Sequence, residues 1–555
     1  MKRRILWMLP ALAGAATLAT IGLANGGNDA YTSVPANVKA AGYAPSSTLS
    51  PELRQTLAAQ GSTPLENPQG PIGWYGYIND TPSPDDPTLP QMVPATTPAA
   101  EAQKTEPDKN TYLVLRGQHG ADPGYDYGTH FLFQGHEVGA KIAGSPLGQS
   151  LITRINLDAD LAHRVTLLAS QDSTGQPIQG IDGSTWDPWA RRLLFTTENS
   201  GAPTYAATAN YPSTVTDVSG ALGRGGYEGI QDDSDGNIWI VEDVGGPNKP
   251  GTTAKQPNSF IYRYVPRHPG DLTNGKLQVL QALNGGHPVT FESQAAVNAP
   301  DQVALRTYGA SYDTRWITIH DTAADGTAPF GANALAKAAH GTPFKRPENG
   351  QFRPGTHFGE FYFDETGDTN ATSPENGDPT TGAGGAGGWT SIFKLVQRDP
   401  SDNTGKLSLF YEGNESVAGL DNVTFISRNL ITFVEDAGDT LHSQRKALDS
   451  GFIWDVTKDY SHGAQPTRWL GEGRDPSATL DSANGGFGKN EGDNEITGVH
   501  VSDGDPSPNG LLGAKIPDFG NGGWRWFYTQ QHGDNFTWEV LPASQGDGQG
   551  GHDYR

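Results

Sequence analysis

Six short segments of the sequence share one pattern, and this repeat constrains the fold more than any single motif does. Each is a run of aromatic and β-branched residues that ends in acids, amides or a histidine. The segments are RRLLFTTEN (191–199), NIWIVEDVGG (237–246), TRWITIHDT (314–322), GEFYFDETGDT (359–369), LITFVEDAGD (430–439) and WRWFYTQQHGD (524–534). This composition is typical of β-strands that end in turns. Each copy must therefore form a similar all-β unit.

The spacing of the repeat indicates the architecture. Strand-like pieces precede several of the segments, and the intervals run from roughly 45 to 95 residues, whereas propeller blades take about 40–50 residues each. The 72 glycines and 40 prolines provide for many turns between short strands. The sequence thus predicts an all-β, six-bladed β-propeller with loop and short-helix insertions, the best short helix being GANALAKAAHG (331–341).

The acids at the strand ends predict a metal site. Inner strands of a propeller run along a central channel, so a strand that ends in an acid places one carboxylate in a shared ring. Because side chains alternate along a strand, Glu242 and Asp243 cannot both point inward, and the same holds for Glu435 and Asp436. Converging carboxylates repel one another unless cations lie among them, and oxygen-rich clusters suit Ca²⁺. The alternative is that these are ordinary turn acids in contact with water.

Composition excludes several classes of function. Acids outnumber bases 62 to 38, and the net charge of −24 argues against a surface that binds nucleic acid. Cysteine is absent, so disulfides, thiolate metal ligands and cysteine nucleophiles are excluded. The sequence contains no G-x-S-x-G motif to support serine hydrolase chemistry.

Composition also divides the chain into segments. Residues 1–25 begin with a basic start and an apolar run, which predicts a signal peptide and a secreted or periplasmic protein. The run is long enough to span a membrane, so membrane association is expected only if this leader is uncleaved. Residues 26–110 are rich in Pro, Thr and Ala and are expected to be a poorly structured lead-in. Residues 111–540 would form the propeller, and residues 541–555 a tail.

Several segments also carry a resemblance to a known family. GIDGSTWDPWARRLLFTTEN, YEGIQDDSDGNIWIVED, AKAAHGTPFKRPENGQF, GLDNVTF and NEITGVHVSDG, followed by YTQQHGD, occur in the order of that family's landmarks. Over about 175–535 the chain resembles the secreted PhoX-type alkaline phosphatases. The resemblance implies a six-bladed propeller and a phosphomonoesterase with iron and calcium in its channel. We expect a monomer that acts on small-molecule phosphate monoesters and does not bind nucleic acid.

The resemblance assigns roles to individual residues. Arg346 matches an arginine that contacts substrate phosphate, and Glu348 matches a glutamate of the metal site; both are candidate catalytic residues. A planar guanidinium grips phosphate oxygens in pairs, whereas a neighbouring carboxylate repels them unless it binds metal. His532 either faces the channel or is structural. The candidate metal ligands are Asp182, Glu198, Glu228, Asp243, Glu348, Asp421, Asp436 and Glu495.

One departure from the family concerns the metals. The family's site includes a cysteine in the segment written here GIDGSTWDPW, where Asp182 is the available ligand. A carboxylate is a harder donor than a thiolate, so Ca²⁺ is expected, while the missing thiolate puts Fe³⁺ in question without excluding it. Two alternatives stay open. The first is another calcium-dependent propeller hydrolase, phytase-like or lactonase-like, and the second is a non-catalytic, calcium-stabilised binding propeller.

Overall fold

Short β-strands dominate the chain. The computed structural model describes residues 31–40, 46–78, 103–141, 148–292, 299–377, 385–473, 495–531 and 535–543, all within the unit Tyr31–Arg555. The expected signal peptide, His532 and most of the expected tail lie outside these residues. None of the helices within these ranges has the length and apolar character needed to cross a membrane.

The segment before residue 107 contains six of the strands. They are β1 Thr48–Leu49, β2 Leu53–Ala59, β3 Pro64–Gln69, β4 Ile72–Trp74, β5 Tyr77–Ile78 and β6 Gln103–Lys104. The expectation of a poorly structured lead-in over 26–110 is therefore wrong for its described part. Frequent Pro and Thr are compatible with short edge strands when a sheet edge is available for pairing.

Blades 1 to 3 follow in chain order. Blade 1 comprises β7 Pro107–Val114, β8 His130–Lys141, β9 Gly148–Asn156 and β10 Val165–Ala169. Blade 2 comprises β11 Ile181–Asp187, β12 Arg192–Thr197, β13 Tyr205–Ala207 and β14 Val215–Asp217. Blade 3 comprises β15 Tyr227–Asp232, β16 Ile238–Glu242, β17 Ile261–Pro266 and β18 Gly275–Asn284. Two added strands are β19 His287–Pro288 and β20 Tyr312–Asp321.

Blades 4 to 6 complete the ring. Blade 4 comprises β21 Gly350–Phe352, β22 Glu360–Glu365, β23 Ser391–Val396 and β24 Thr404–Glu412. Blade 5 comprises β25 Leu420–Phe425, β26 Leu430–Glu435, β27 Ser450–Asp455 and β28 Thr467–Gly471. Blade 6 comprises β29 Glu495–Ser502, β30 Arg525–Gln531 and β31 Phe536–Pro542.

Helices are short and lie in the connections. The α-helices of the described chain are α1 Ser219–Leu222, α2 Pro300–Leu305, α3 Thr322–Asp325, α4 Ala332–Ala338 and α5 Gly438–Arg445. Two 3₁₀ turns cover Leu161–His163 and Pro508–Gly510. The helix predicted over 331–341 corresponds to α4.

The first strand of each blade lies at a sheet edge and faces a common centre. These inner strands are β7, β11, β15, β21, β25 and β29. Each contacts the inner strand of the next blade, and β29 contacts β7, so the ring is closed. The predicted all-β, six-bladed β-propeller is confirmed.

Strands from the N-terminal segment complete blades from the C-terminal half. β2 pairs with β31 as the outermost strand of blade 6, in the register Leu53↔Pro542 through Ala59↔Thr537. β1 pairs in the same way with β28 of blade 5. The two ends of the chain are thus joined in one sheet, which closes the ring non-covalently.

The apolar core lies between blades rather than at the centre. Phe133 of blade 1 and Phe195 of blade 2 belong to one buried cluster. Trp239 of blade 3 packs on Phe361 of blade 4 with ring centroids 4.9 Å apart. Because the blade faces take up the apolar side chains, the inner edges are free to carry polar groups into the channel.

The repeat gave the right number of blades with one strand misassigned. Five of the six predicted segments are second strands: β12, β16, β22, β26 and β30. TRWITIHDT instead forms β20, which pairs with β18 and β24 and joins blades 3 and 4. Blade 1 was missed because its second strand, β8, does not end in an acid. The interpretation of these segments as inner strands is also wrong, since the pieces that precede them occupy that position.

Candidate metal centre

Inner strands place acids at one end of the channel, each next to a β-bulge. The register shifts between Pro107 and Asn110, between Ile181 and Ser184, between Tyr227 and Ile230, and between Leu420 and Val423. These intervals contain Asp108, Asp182, Glu228 and Asp421 respectively. A bulge leaves residues outside the ladder and re-aims their side chains, so it can turn an acid towards the channel.

Glycine brings two of these acids together. A Cβ on Gly183 would lie 2.0 Å from the carbonyl oxygen of Glu228, so only glycine allows blades 2 and 3 to approach this closely. Carboxylate oxygens of Asp182 and Glu228 lie within 4.8 Å of each other. The close approach therefore creates a carboxyl pair.

The second strands add acids from the same end, because each runs antiparallel to its inner strand. Asp243 follows β16 and accepts a hydrogen bond from the Arg346 Nε, whereas Glu242 is turned away and accepts hydrogen bonds from the Phe260 N–H and the Tyr262 hydroxyl. Likewise Asp436 follows β26, while Glu435 pairs with Arg445 at 2.9 Å. The predicted division of both acidic pairs is thus what the structure has.

Oxygen atoms of eight carboxylates come close enough to share cations. In the described residues, four groups have ligand atoms within 4.8 Å of one another: Asp108–Glu137–Glu495, Asp108–Asp182–Glu228, Glu137–Asp182–Glu198 and Glu228–Glu348–Asp421. We call these eight residues the carboxylate cluster. Six of the predicted ligands belong to it. Asp243 and Asp436 are not members, although both act electrostatically on Glu198.

Burial and mutual repulsion make the cluster costly to ionise without cations. Burial, followed by the neighbouring acids, raises the pKa values of Asp182, Glu228 and Asp421 well above their usual range. Burial raises the pKa of Asp108 to about 6. Desolvation and the adjacent Asp243 raise the pKa of Glu198 to about 7. Cations bound among carboxylates with raised pKa values stabilise the charged form of these groups.

Lys109 places a basic side chain beside the cluster. Its side chain is buried and its Nζ has no hydrogen-bond partner in the described residues. Burial lowers its pKa, while Asp421, Asp108 and Glu228 act in the opposite direction. In its protonated form this amine balances part of the negative charge of the cluster without acting as a ligand.

Arg346 and Glu348 lie together, as the sequence predicts. The Arg346 Nε donates to Asp243 Oδ2 at 2.9 Å, and Nη2 donates to Glu348 Oε1 at 3.3 Å. The Thr366 hydroxyl donates to the same Glu348 oxygen at 2.6 Å. Arg346 has φ +51°, in the left-handed region, so the segment is not extended there as a simple alternation would require.

An open pocket lies over this arginine at the channel mouth. It has a volume of about 470 Å³ and is lined by Glu198, Asn199, Ser200, Asp243, Val244, Gly245, Lys255 and Arg346. Burial, and then Arg346, lower the pKa of Lys255. Arg346 and Lys255 thus face a pocket whose acids belong to the carboxylate cluster or lie next to it. This arrangement suits an anion that is bound next to cations.

The donor set fits hard cations. Asp182 Oδ1 and Asp421 Oδ2 are buried and lack hydrogen-bond partners among the described residues. Ca²⁺ takes about six to eight oxygen ligands, and groups of carboxylates supply them. The same oxygens can hold Fe³⁺, but with no thiolate in the chain the donor set has no ligand that favours a softer metal.

Sequence reasoning missed Asp108, Lys109 and Glu137. They lie in blade 1, before the stretch that resembles PhoX-type phosphatases, and Asp108 and Lys109 precede the expected start of the propeller at 111. The sequence PDKN at the start of a strand rich in β-branched and aromatic residues was the available signal. Asp364, whose Oδ2 is buried without a partner, was missed because it lies inside β22 rather than at its end.

Comparisons with known proteins support the fold. No protein-family model and no curated protein matches the chain. Among solved structures, the chain is similar to Pseudomonas fluorescens PhoX in complex with vanadate, a transition-state analogue, with a TM-score of 0.51 and 12% identity over 92% of this chain and 98% of that one. A glucose dehydrogenase and a Synechocystis apocarotenoid oxygenase give TM-scores of 0.27 and 0.32, too low to establish a common fold. The similarity to PhoX concerns the fold alone.

Proposed function

We propose that the protein is a secreted, metal-dependent phosphomonoesterase of the PhoX type. The observation that carries this proposal is the placement of Arg346 and Lys255 in an open pocket directly over a carboxylate cluster. Phosphate monoesters carry charge on several oxygens, and their hydrolysis needs cationic groups on those oxygens. A purely structural calcium site would not need a guanidinium that lines an open pocket beside it.

The residues divide the work between them. The carboxylate cluster would hold Ca²⁺, with Fe³⁺ as a further candidate, and such ions polarise phosphoryl oxygens and lower the pKa of bound water. Arg346 is already oriented by Asp243 and Glu348, so it can receive phosphoryl oxygens without reorganisation. Lys255 adds a second positive charge at the mouth. The width of the open pocket leaves room for the alcohol part of a small ester.

A substrate panel tests the proposal. The full-length protein, loaded with Ca²⁺ alone or with Ca²⁺ and Fe³⁺, is assayed on p-nitrophenyl phosphate, bis(p-nitrophenyl) phosphate, phytate and a γ-lactone. We expect turnover of the monoester, little of the diester and none of the lactone. Preferred turnover of phytate or lactone would assign the protein to another group of calcium-dependent propeller hydrolases. No turnover by protein that retains its metals would instead support a binding propeller.

A further inference from the structure

The inner strands also enclose a second chamber at their other ends. Its lining includes Thr111–Leu113 of β7, Ser184–Trp186 of β11, Gln231–Asp232 of β15, and His500 of β29. Asp505, Ser507 and residues 510–512, in the connection between β29 and β30, complete the wall. The free volume is about 30 Å³. A water molecule needs about 10–15 Å³ on this measure, so the chamber has room for one ion and a water.

Asp232 is the unusual group in this chamber. The residue is 2% exposed, and neither of its carboxylate oxygens has a hydrogen-bond partner in the described chain. The neighbouring buried acids are satisfied: Asp187 accepts from the Trp189 and Ala190 N–H groups, and Asp233 accepts from the Trp239 indole. An unpaired buried carboxylate is costly, so a ligand for Asp232 is needed.

The surroundings of Asp232 indicate a cation rather than an anion or a donor side chain. The charged groups that act on it within the described residues are the acids Asp187 and Asp233, which together with burial raise its pKa well above the usual range. Gln231 also lines the chamber, but its side chain alternates with that of Asp232 along β15 and is not counted as a ligand. The hydroxyls of Ser184 and Ser502 add further oxygens to the wall.

We propose that this chamber binds one small hard cation such as Ca²⁺, with the carboxylate of Asp232 as its charged ligand. The site is separate from the carboxylate cluster, because Glu228 and Asp232 lie at opposite ends of β15. Hydroxyls of the wall and a bound water complete an all-oxygen coordination shell. The cation links the inner strands of several blades where the connection between β29 and β30 covers the channel.

Counting bound calcium tests the proposal. Wild-type protein and Asp232→Asn are stripped with a chelator, dialysed against Ca²⁺ and analysed by mass spectrometry for bound metal. We expect Asp232→Asn to bind one equivalent less and to keep the turnover of the wild type. Asp235→Asn is the matched control, because it makes the same change at an exposed position of the same hairpin and should bind the full amount.

Terbium luminescence gives a second measurement that does not depend on the folding of Asp232→Asn. Trp186 lines the chamber, so excitation of tryptophan should sensitise Tb³⁺ bound there. We expect Trp186→Phe to lose one saturable component of this emission. Equal calcium content in wild type and Asp232→Asn would overturn the proposal. Unchanged Tb³⁺ emission in Trp186→Phe would overturn it as well.

Discussion

Replacement of Arg346 separates phosphate recognition from metal binding. The guanidinium donates to Asp243 and Glu348 but is itself no metal ligand, so Arg346→Ala should keep its metals and lose activity. Glu348 belongs to the carboxylate cluster, so Glu348→Gln should lower both metal content and activity. The two substitutions are therefore expected to differ in their effect on metal content, although both lower activity.

The expected loss of activity in Arg346→Ala follows from the geometry of its contacts. Arg346 is held by two charge-assisted contacts, 2.9 Å to Asp243 and 3.3 Å to Glu348, so little ordering remains to be done when phosphate binds. Loss of one preorganised donor of this kind costs about 3–4 kcal/mol of transition-state stabilisation. At about 1.4 kcal/mol for each factor of ten, kcat/KM should fall about 100- to 1,000-fold. Arg346→Lys keeps the charge without the planar fork and should fall less.

The assay combines kinetics with metal analysis on the same samples. kcat/KM is measured on p-nitrophenyl phosphate, and bound metals are counted after gel filtration. Arg353→Ala is the matched control, since Arg353 pairs with Glu360 at 3.0 Å and is not among the residues that line the mouth pocket. Wild-type kcat/KM in Arg346→Ala would refute the assignment of phosphate recognition to this arginine. Unchanged metal content in Glu348→Gln would refute the cluster as the metal site.

Three further predictions concern the ring, its charge and its metals. A chain that starts at residue 105 lacks β2 and should not fold stably. If its melting curve, followed by circular dichroism, matched that of the wild type, closure of the ring by β2 would be contradicted. The raised pKa values of Asp108 and Glu198, about 6 and about 7, mean that the folded metal-free protein binds more protons than the unfolded chain. Its melting temperature should therefore fall from about pH 4 to about pH 7 and be restored by Ca²⁺, and a flat apo profile would argue against this. Asp182→Ala should lower iron and largely keep calcium if Asp182 replaces the thiolate, whereas equal iron content would exclude that role.

Much of the fold could be predicted because its repeating unit is short and local. A run such as NIWIVED predicts a strand and the turn that follows it from neighbouring residues alone. Five of the six segments form the second strand of successive blades. TRWITIHDT carries the same local signal but pairs with β18 and β24. Its role depends on which edges are free in the folded ring, and local sequence does not encode that.

The closure of the ring was not predictable from composition. β2, with the mixed polar and apolar sequence LRQTLAA, is ordered because the edge of β31 is available to it across the ring. The same reasoning explains why Asp108 was missed: its place in the site depends on the contact between β7 and β29, which joins the two ends of the chain. Interactions between the most distant parts of a sequence are the least visible in it.

The positions of the acids were easier to predict than their directions. Asp182, Glu228 and Asp421 stand at strand starts in the sequence, but strict alternation does not by itself aim all three at one centre. Bulges at each of these points do so. A bulge is a property of two paired strands. The sequence of one strand therefore predicts which residue can be a ligand, but not the direction in which its side chain points.

Lys109 and Arg346 explain how such a cluster can form before any cation is bound. Eight carboxylates, of which Glu198 alone is exposed, would prevent the inner strands from meeting if all were ionised. The two basic side chains offset part of the charge, and raised pKa values keep part of the rest protonated. Cations that bind then replace protons on the carboxyl groups. The site is therefore not fully ionised before they bind. Because Lys109 and Arg346 are covalently part of blades 1 and 4, this compensation is present as soon as the ring closes.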